Sequence, residues 1–274
     1  MKILALDSSG LVASAAVLED DILLGEYTIN HKKTHSQTLL PMVDALVQML
    51  ELDLNTVDAI AVAAGPGSFT GLRIGAATAK GLGLALDKPL IAVPTVDALA
   101  YNVGVTDCLI CPMMDARRGQ VYTGIYCYTE GKLDVLRPQE AVSVAELAET
   151  LNELGQEVIL LGDGVPVYLE RLKELLEVSY VVAPAHLNRQ RAGAVGALAQ
   201  LYYRKGKCQP AAEMAPEYLR KSQAEREREE REAREENKKE QETESRKEKR
   251  GEDGGKEDQE TCVMEEKAGE GHEK

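Results

Sequence analysis

The chain has 274 residues, 44% of them hydrophobic but only 4% aromatic, with no Trp and a single Phe; this is enough to bury a core in one or two domains and too few rings for a single-stranded nucleic-acid platform. The formal charge of −14 is acidic throughout: after residue 220, 14 Lys/Arg stand against 20 Asp/Glu, and before it 18 against 26. Phosphate neutralisation drives nucleic-acid binding, so any RNA role here is shared with a basic partner.

Residues 2–7, 12–19 and 22–29 read as three strands joined by short polar turns, a meander of antiparallel neighbours. The first strand starts at once, without a secretory-signal pattern. No apolar run approaches a membrane span, and a cytoplasmic protein is expected. A helix follows over about 34–51. Thr34 and Gln37 have capping-box spacing, while Pro41 either kinks the helix or moves its start to Thr38. A strand at 59–64, a glycine-rich loop, a helix at 71–86, a strand at 90–93 and a helix from Thr95 complete a first domain, 1–104. Strands followed by strand–helix alternation indicate an α/β layer with a mixed sheet.

A second domain, 105–190, repeats this order in reduced form. Strands at 109–115 and 120–128 flank a hairpin signal at 116–119. A helix at 144–154, a strand at 157–161, a helix at 165–176 and a short strand at 180–182 follow. A helix rich in Ala and Gly, about 191–204, is expected to pack back on the first domain. From Lys221, 34 of 54 residues are charged, and such a segment cannot offset its ordering entropy by burial. A disordered tail is expected there, with a solvated helix over about 224–239 as the alternative.

Cys108 and Cys111 fall on opposite faces of a strand and read as ordinary buried cysteines rather than a metal or redox pair. His31 and His35 have helical metal-site spacing, but two lysines and no acid lie between them, and no metal site is assigned. Gly65-Pro66-Gly67-Ser68-Phe69-Thr70-Gly71-Leu72-Arg73-Ile74-Gly75 links a strand to a helix. Ser68 or Thr70 can cap that helix, and its free N–H groups favour an anion. It is neither a Walker loop nor a dinucleotide fingerprint. Arg73 opposes the helix dipole, which hints at a carboxylate or phosphate partner. An anion site and a plain tight turn both stay open. Asp7, Asp115 and Asp163 each follow a strand beside small residues, as a nucleotide–magnesium cleft requires and as turns also use.

In the first helix, Leu39, Met42, Val43, Leu46 and Leu50 form an apolar stripe, which Leu40 and Val47 widen. A helix apolar most of the way round is buried on two sides, and a second protein would supply the other side. The second helix carries Gly75, Ala79 and Gly83 four apart, a face that admits another backbone.

The glycine-rich string, Ala92-Val93-Pro94-Thr95-Val96-Asp97-Ala98-Leu99-Ala100, Asp115-Ala116-Arg117-Arg118-Gly119-Gln120-Val121-Tyr122, Thr34-His35-Ser36 with Leu39-Leu40-Pro41, and Pro216-Glu217-Tyr218-Leu219-Arg220 together resemble the bacterial TsaB (YeaZ) family over about residues 1–220. The resemblance implies an actin/Hsp70-like fold of two duplicated domains. It also implies membership of the machinery that makes threonylcarbamoyladenosine beside the anticodon of tRNA. There the related subunit TsaD transfers the threonylcarbamoyl group, the ATPase TsaE joins the pair, and TsaB is a companion without chemistry of its own. TsaD carries a helical His pair with a Glu between; His31 and His35 lack it. An actin-like nucleotide site would use Asp7-Ser8-Ser9-Gly10, Asp115–Gly119 and Gly162-Asp163-Gly164, with Gly67, Ser68, Thr70, Arg73, Arg117 and Arg118 as further anion candidates. All three loops are partial matches, which implies weak or absent nucleotide binding. The family pairs through its first two helices, placing Ser36, Leu39, Leu40, Val43, Leu46, Val47 and Leu50, with Leu72, Gly75, Ala76, Ala79 and Gly83, at the partner surface. The same patch would make a homodimer when TsaD is absent. No cofactor of its own, ATP and a divalent metal in the partner subunits, no membrane, and tRNA contact only through the complex complete the expectation. A stand-alone glycoprotease-like peptidase or actin-like ATPase, and a homodimeric interaction protein unrelated to tRNA, are the competing readings.

Overall fold

The first three strands, β1 (Lys2–Asp7), β2 (Ala13–Glu19) and β3 (Ile22–Ile29), pair antiparallel in sequence order. They are followed by α1 (His35–Met49), β4 (Ala59–Gly65), α2 (Phe69–Leu86), β5 (Leu90–Pro94) and α3 (Thr95–Tyr101). β4 pairs parallel with both β1 and β5, so the sheet order is β3-β2-β1-β4-β5. This computed structural model describes residues 1–31 and 34–220, with Arg228, Arg231, Arg234 and Glu235 beyond them.

The second half is β6 (Leu109–Asp115), β7 (Gln120–Thr129), β8 (Lys132–Ser143), α4 (Val144–Leu154), β9 (Val158–Leu161), α5 (Val165–Leu175), β10 (Tyr180–Val182) and α6 (Ala192–Arg204). Its sheet runs β8-β7-β6-β9-β10, with β6–β7–β8 antiparallel and β6–β9–β10 parallel. The two sheets therefore share one order and one pattern of directions, the duplicated actin-like arrangement. Both lie in one compact unit, residues 1–220. The four residues described beyond it are helical; the expectation of a disordered tail lies outside the described residues.

The sequence pattern does not mark β8. It is an edge strand, exposed over most of its first half. An edge tolerates Pro138 and charge, so neither alternation nor a long apolar run betrays it. The turn before it, with Glu130 and Gly131 at positive φ, is hairpin chemistry.

β1 is apolar on both faces because both are covered. Leu4 and Leu6 join α1 and α2 in one cluster, while Ile3 and Ala5 pack with Ala192, Val195 and Ala199 of α6 in another. Two polar caps fix the start of α6: Ala192 N donates to Ser14 Oγ at 2.9 Å and Gly193 N to Glu26 Oε1 at 2.9 Å. Glu26 is also ion-paired with Arg191. In the second half, Leu109, Cys111 and Met113 face α4 and α5, while Ile110 and Met114 face Val96, Leu99 and Ala100 of α3. The last helix of the first half thus packs on the second sheet. Among the described residues, no helix is long and apolar enough to cross a membrane.

Candidate functional site

The loops after β1 and β4 lie against one another. Ser68 N donates to the Ser9 carbonyl at 2.7 Å, and Ser8 Oγ to the Gly71 carbonyl at 2.8 Å. A Cβ on Gly67 would overlap the Ser9 carbonyl oxygen and one on Gly71 that of Ser8; one on Gly75 would stand 2.6 Å from Ser8 Oγ. The glycines serve backbone-to-backbone packing. Ser9 is turned away from any anion, since its N and Oγ both bond Asp7 Oδ1, at 2.9 and 2.7 Å. Ser68 Oγ accepts from Gly71 N as the helix cap, and Thr70 is exposed. Within the chain, Arg73 meets rings and a hydroxyl: the guanidinium lies 4.0 Å from the Phe69 ring centroid, and Nε donates to Tyr218 Oη at 3.2 Å.

Asp7 is buried, and its Oδ2 has no hydrogen-bond partner. Burial pushes its carboxyl up to about 6, against the pull of the two Ser9 bonds and of His35. His35 Nε2 shares a 2.8 Å hydrogen bond with the Gly10 carbonyl, while Nδ1 is unpartnered. Gly10 in turn abuts the buried Gln190 carboxamide, whose Oε1 and Nε2 are also unpartnered. Gln190 lies 180 residues from this loop in sequence and carries no local signal. The Thr34–Gln37 capping box does not form: Thr34 makes no side-chain cap, and Pro41 sits inside a helix that begins at His35. Among the described residues, no three His, Cys, Asp or Glu are grouped to hold a metal.

The second sheet repeats the geometry at the ends of β6 and β9. Asp115 Oδ1 accepts from Arg117 N at 2.8 Å and from Tyr168 Oη at 2.9 Å, and Asp163 Oδ1 accepts from Asp115 N at 3.2 Å. Burial raises the Asp163 carboxyl, eased by that amide and by Arg189. A Cβ on Gly162 would overlap the Met113 carbonyl oxygen. Arg117 and Arg118 are exposed in the turn, both at positive φ.

The two-helix surface differs from expectation. Leu39, Val43 and Leu46 are buried in the first core, with Val47 and Leu50 packed on its margin. Leu72, Gly75, Ala76, Ala79 and Gly83 are buried on the inner face of α2. Much of the second apolar side of α1 is covered within the chain, because β2, β3 and α2 all pack against this helix, while Leu40 is left exposed. Of the residues expected at a partner surface, Ser36 and Leu40 are exposed. Outward on α2 stand Arg73, Ala77, Gly81 and Leu84; Leu84 is 62% exposed, Leu40 54% and Met49 80%.

Residues 23–228 match the family model described as TsaD, tRNA N6-adenosine threonylcarbamoyltransferase. The tRNA threonylcarbamoyladenosine biosynthesis protein TsaB of Bacillus subtilis (strain 168) is 36% identical over 228 residues, spanning 82% of this chain and 96% of that protein. The chain belongs to the TsaB family. TsaB of Escherichia coli (strain K12) is 32% identical over 193 residues, spanning 68% of this chain and 82% of that protein. The solved structure of YeaZ from Pseudomonas aeruginosa superposes with a TM-score of 0.68 at 29% identity, covering 80% of this chain and 99% of that one. In this TsaB-family chain, Pro216–Arg220 lies across the glycine loop, a placement that sequence spacing does not reveal.

Proposed function

We propose that this chain is the non-catalytic partner subunit of the assembly that transfers a threonylcarbamoyl group to the adenosine beside the anticodon of tRNA. Membership of the TsaB family gives it a role in tRNA threonylcarbamoyladenosine biosynthesis. The finer reading is that it pairs with TsaD, is joined by TsaE, and pairs with itself when TsaD is absent. ATP and a divalent metal would belong to those partners, tRNA would be met through the complex, and the setting would be the cytoplasm.

The exposed outer face of α2 carries this reading. Ala77 and Gly81 offer little side chain, and nothing lies within 4 Å of a Cβ placed on Gly81. With Leu84 and, from α1, Leu40, they make an apolar surface on helices already buried on their inner side. A matching helix pair can approach such a face closely, and one patch can serve a self-pair and a pair with a structural relative.

Ala77→Arg and Leu84→Glu test the pairing. A lone charge at the centre of a desolvated patch costs several kcal/mol, so each variant is expected to fold normally by circular dichroism yet lose co-purification with TsaD. Nucleoside mass spectrometry of tRNA from a reconstituted assembly is expected to show modification with the wild-type chain and little with either variant. Unchanged affinity for TsaD in both variants would place the interface elsewhere.

A further inference from the structure

We propose that the segment from Gln209 to Arg220 is a clasp that fastens the two sheets together across the mouth formed by the Asp7, Gly65 and Asp115 strand ends. Its first part belongs to the first sheet. Gln209 and Leu90 exchange both backbone hydrogen bonds at 2.9 Å, extending the edge at β5. Ala211 and Met214 are buried in the first core, and Lys80 Nζ donates to the Ala212 carbonyl at 2.8 Å.

The segment then crosses the glycine loop. Glu217 N donates to the Ala64 carbonyl at 2.7 Å, and the Glu217 carbonyl oxygen occupies the space a Cβ on Gly65 would need. Gly65 has φ 132°, a conformation that disfavours a side chain; its glycine thus serves both the loop and the segment above it. The Tyr218 ring packs on Phe69 at 4.8 Å between centroids, and Arg73 is held by the Phe69 ring and the Tyr218 hydroxyl. The aromatic and cation–π contacts add to the apolar area they cover.

The last residues reach the second sheet. Arg220 Nη1 donates to the Ala116 carbonyl at 2.7 Å, in the β6–β7 turn, and Gln139 Nε2 of β8 donates to Glu217 Oε2 at 3.4 Å. Among the described residues of the β6–β7–β8 meander, Ile110, Met114 and Tyr126 pack on α3 and Tyr126 bonds Asp97 at 2.7 Å; the hydrogen bonds to Glu217 and Arg220 add a second set of ties through this segment. The sheets are therefore joined at α3 by an apolar core, by the segment 187–191, which bonds Gly162, Asn102 and Glu26, and at the mouth by a few polar contacts on one strap. A junction of few, solvent-near hydrogen bonds opens more readily than a packed core, and hinge motion concentrates at such connections.

Hydrogen-exchange mass spectrometry on the full chain tests this, with no partner needed, so its outcome is independent of the pairing with TsaD. Arg220→Ala cuts the tie to the β6–β7 turn while leaving the Phe69–Tyr218 contact and the weaker Gln139–Glu217 bond. It is expected to speed exchange of amides 116–120 by about tenfold, the change one ordinary hydrogen bond supplies. Tyr218→Ala with Arg220→Ala is expected to speed amides 67–72 as well. In both variants, amides of β1, β4 and α6 keep their wild-type rates. Unchanged rates at 116–120 would overturn the clasp, and so would acceleration spread evenly over the whole chain.

Discussion

The Asp7 carboxyl is buried with one oxygen unpartnered, and its titration sits near pH 6 rather than at the ordinary 3.8. Between those values the folded chain holds a proton that the unfolded chain has released. Stability therefore falls as pH rises through this window: the penalty is absent below about pH 4 and fully present above about pH 6. Two units correspond to about 3 kcal/mol at 1.36 kcal/mol per unit. Asp7→Asn removes the charge and keeps an oxygen for Ser9 N and Oγ. It leaves an amide N–H₂ near unpartnered groups, a cost of about 1 kcal/mol that does not change with pH. Urea unfolding of wild type and variant at pH 4.5 and 7.5 isolates the effect, since the other titrating groups are common to both chains. The variant is expected to gain about 2 kcal/mol on wild type between the lower and the higher pH. An equal difference at both pH values, or a wild type that gains on the variant at pH 7.5, would refute a buried charge at Asp7.

Gly71→Ala drives a methyl into the Ser8 carbonyl oxygen, a backbone atom that cannot rotate away. It is expected to destabilise the chain by about 1–3 kcal/mol as overpacking does, seen as a lower midpoint in thermal melts, whereas Gly81→Ala, inside α2 with open space around it, is expected to raise the midpoint through a gain of about 1 kcal/mol in helix propensity. Burial pushes the Cys111 thiol up to about 12, while Cys208 is exposed. Maleimide at pH 7.5 followed by peptide mapping should therefore mark Cys208 in the native chain and Cys111 only after unfolding.

Legibility followed the range of the interactions. The β1–β3 meander, the Ser68 cap and the strand–helix alternation are set by neighbours in sequence, and they stand where pattern alone puts them. The segment 132–143 was silent because one edge of a strand answers to water. Arg73 illustrates the opposite limit: opposing a helix dipole does call for a partner, but within the chain that partner is Tyr218, 145 residues away, and no local rule distinguishes it from an anion. The two helices fail differently again. Periodicity shows that α1 is apolar on two sides, yet its own β3 and α2 can fill the second side as well as a foreign helix can. On α2, Gly75, Ala79 and Gly83 share a face with Leu72 and Ala76, the residues that meet the sheet, so their smallness admits Ser8, Val62 and Ala211 of the same chain. Two positions further round, Ala77 and Gly81 carry a second small-residue row, turned by roughly 200° at about 100° per residue, and that row is the one left to water. Small residues four apart mark a close approach; which row meets the chain's own core depends on the phase of the large residues between them. A charge at Leu46 or Ala76 would therefore challenge the fold, whereas a charge at Ala77 or Leu84 tests the proposed partnership with the fold left intact.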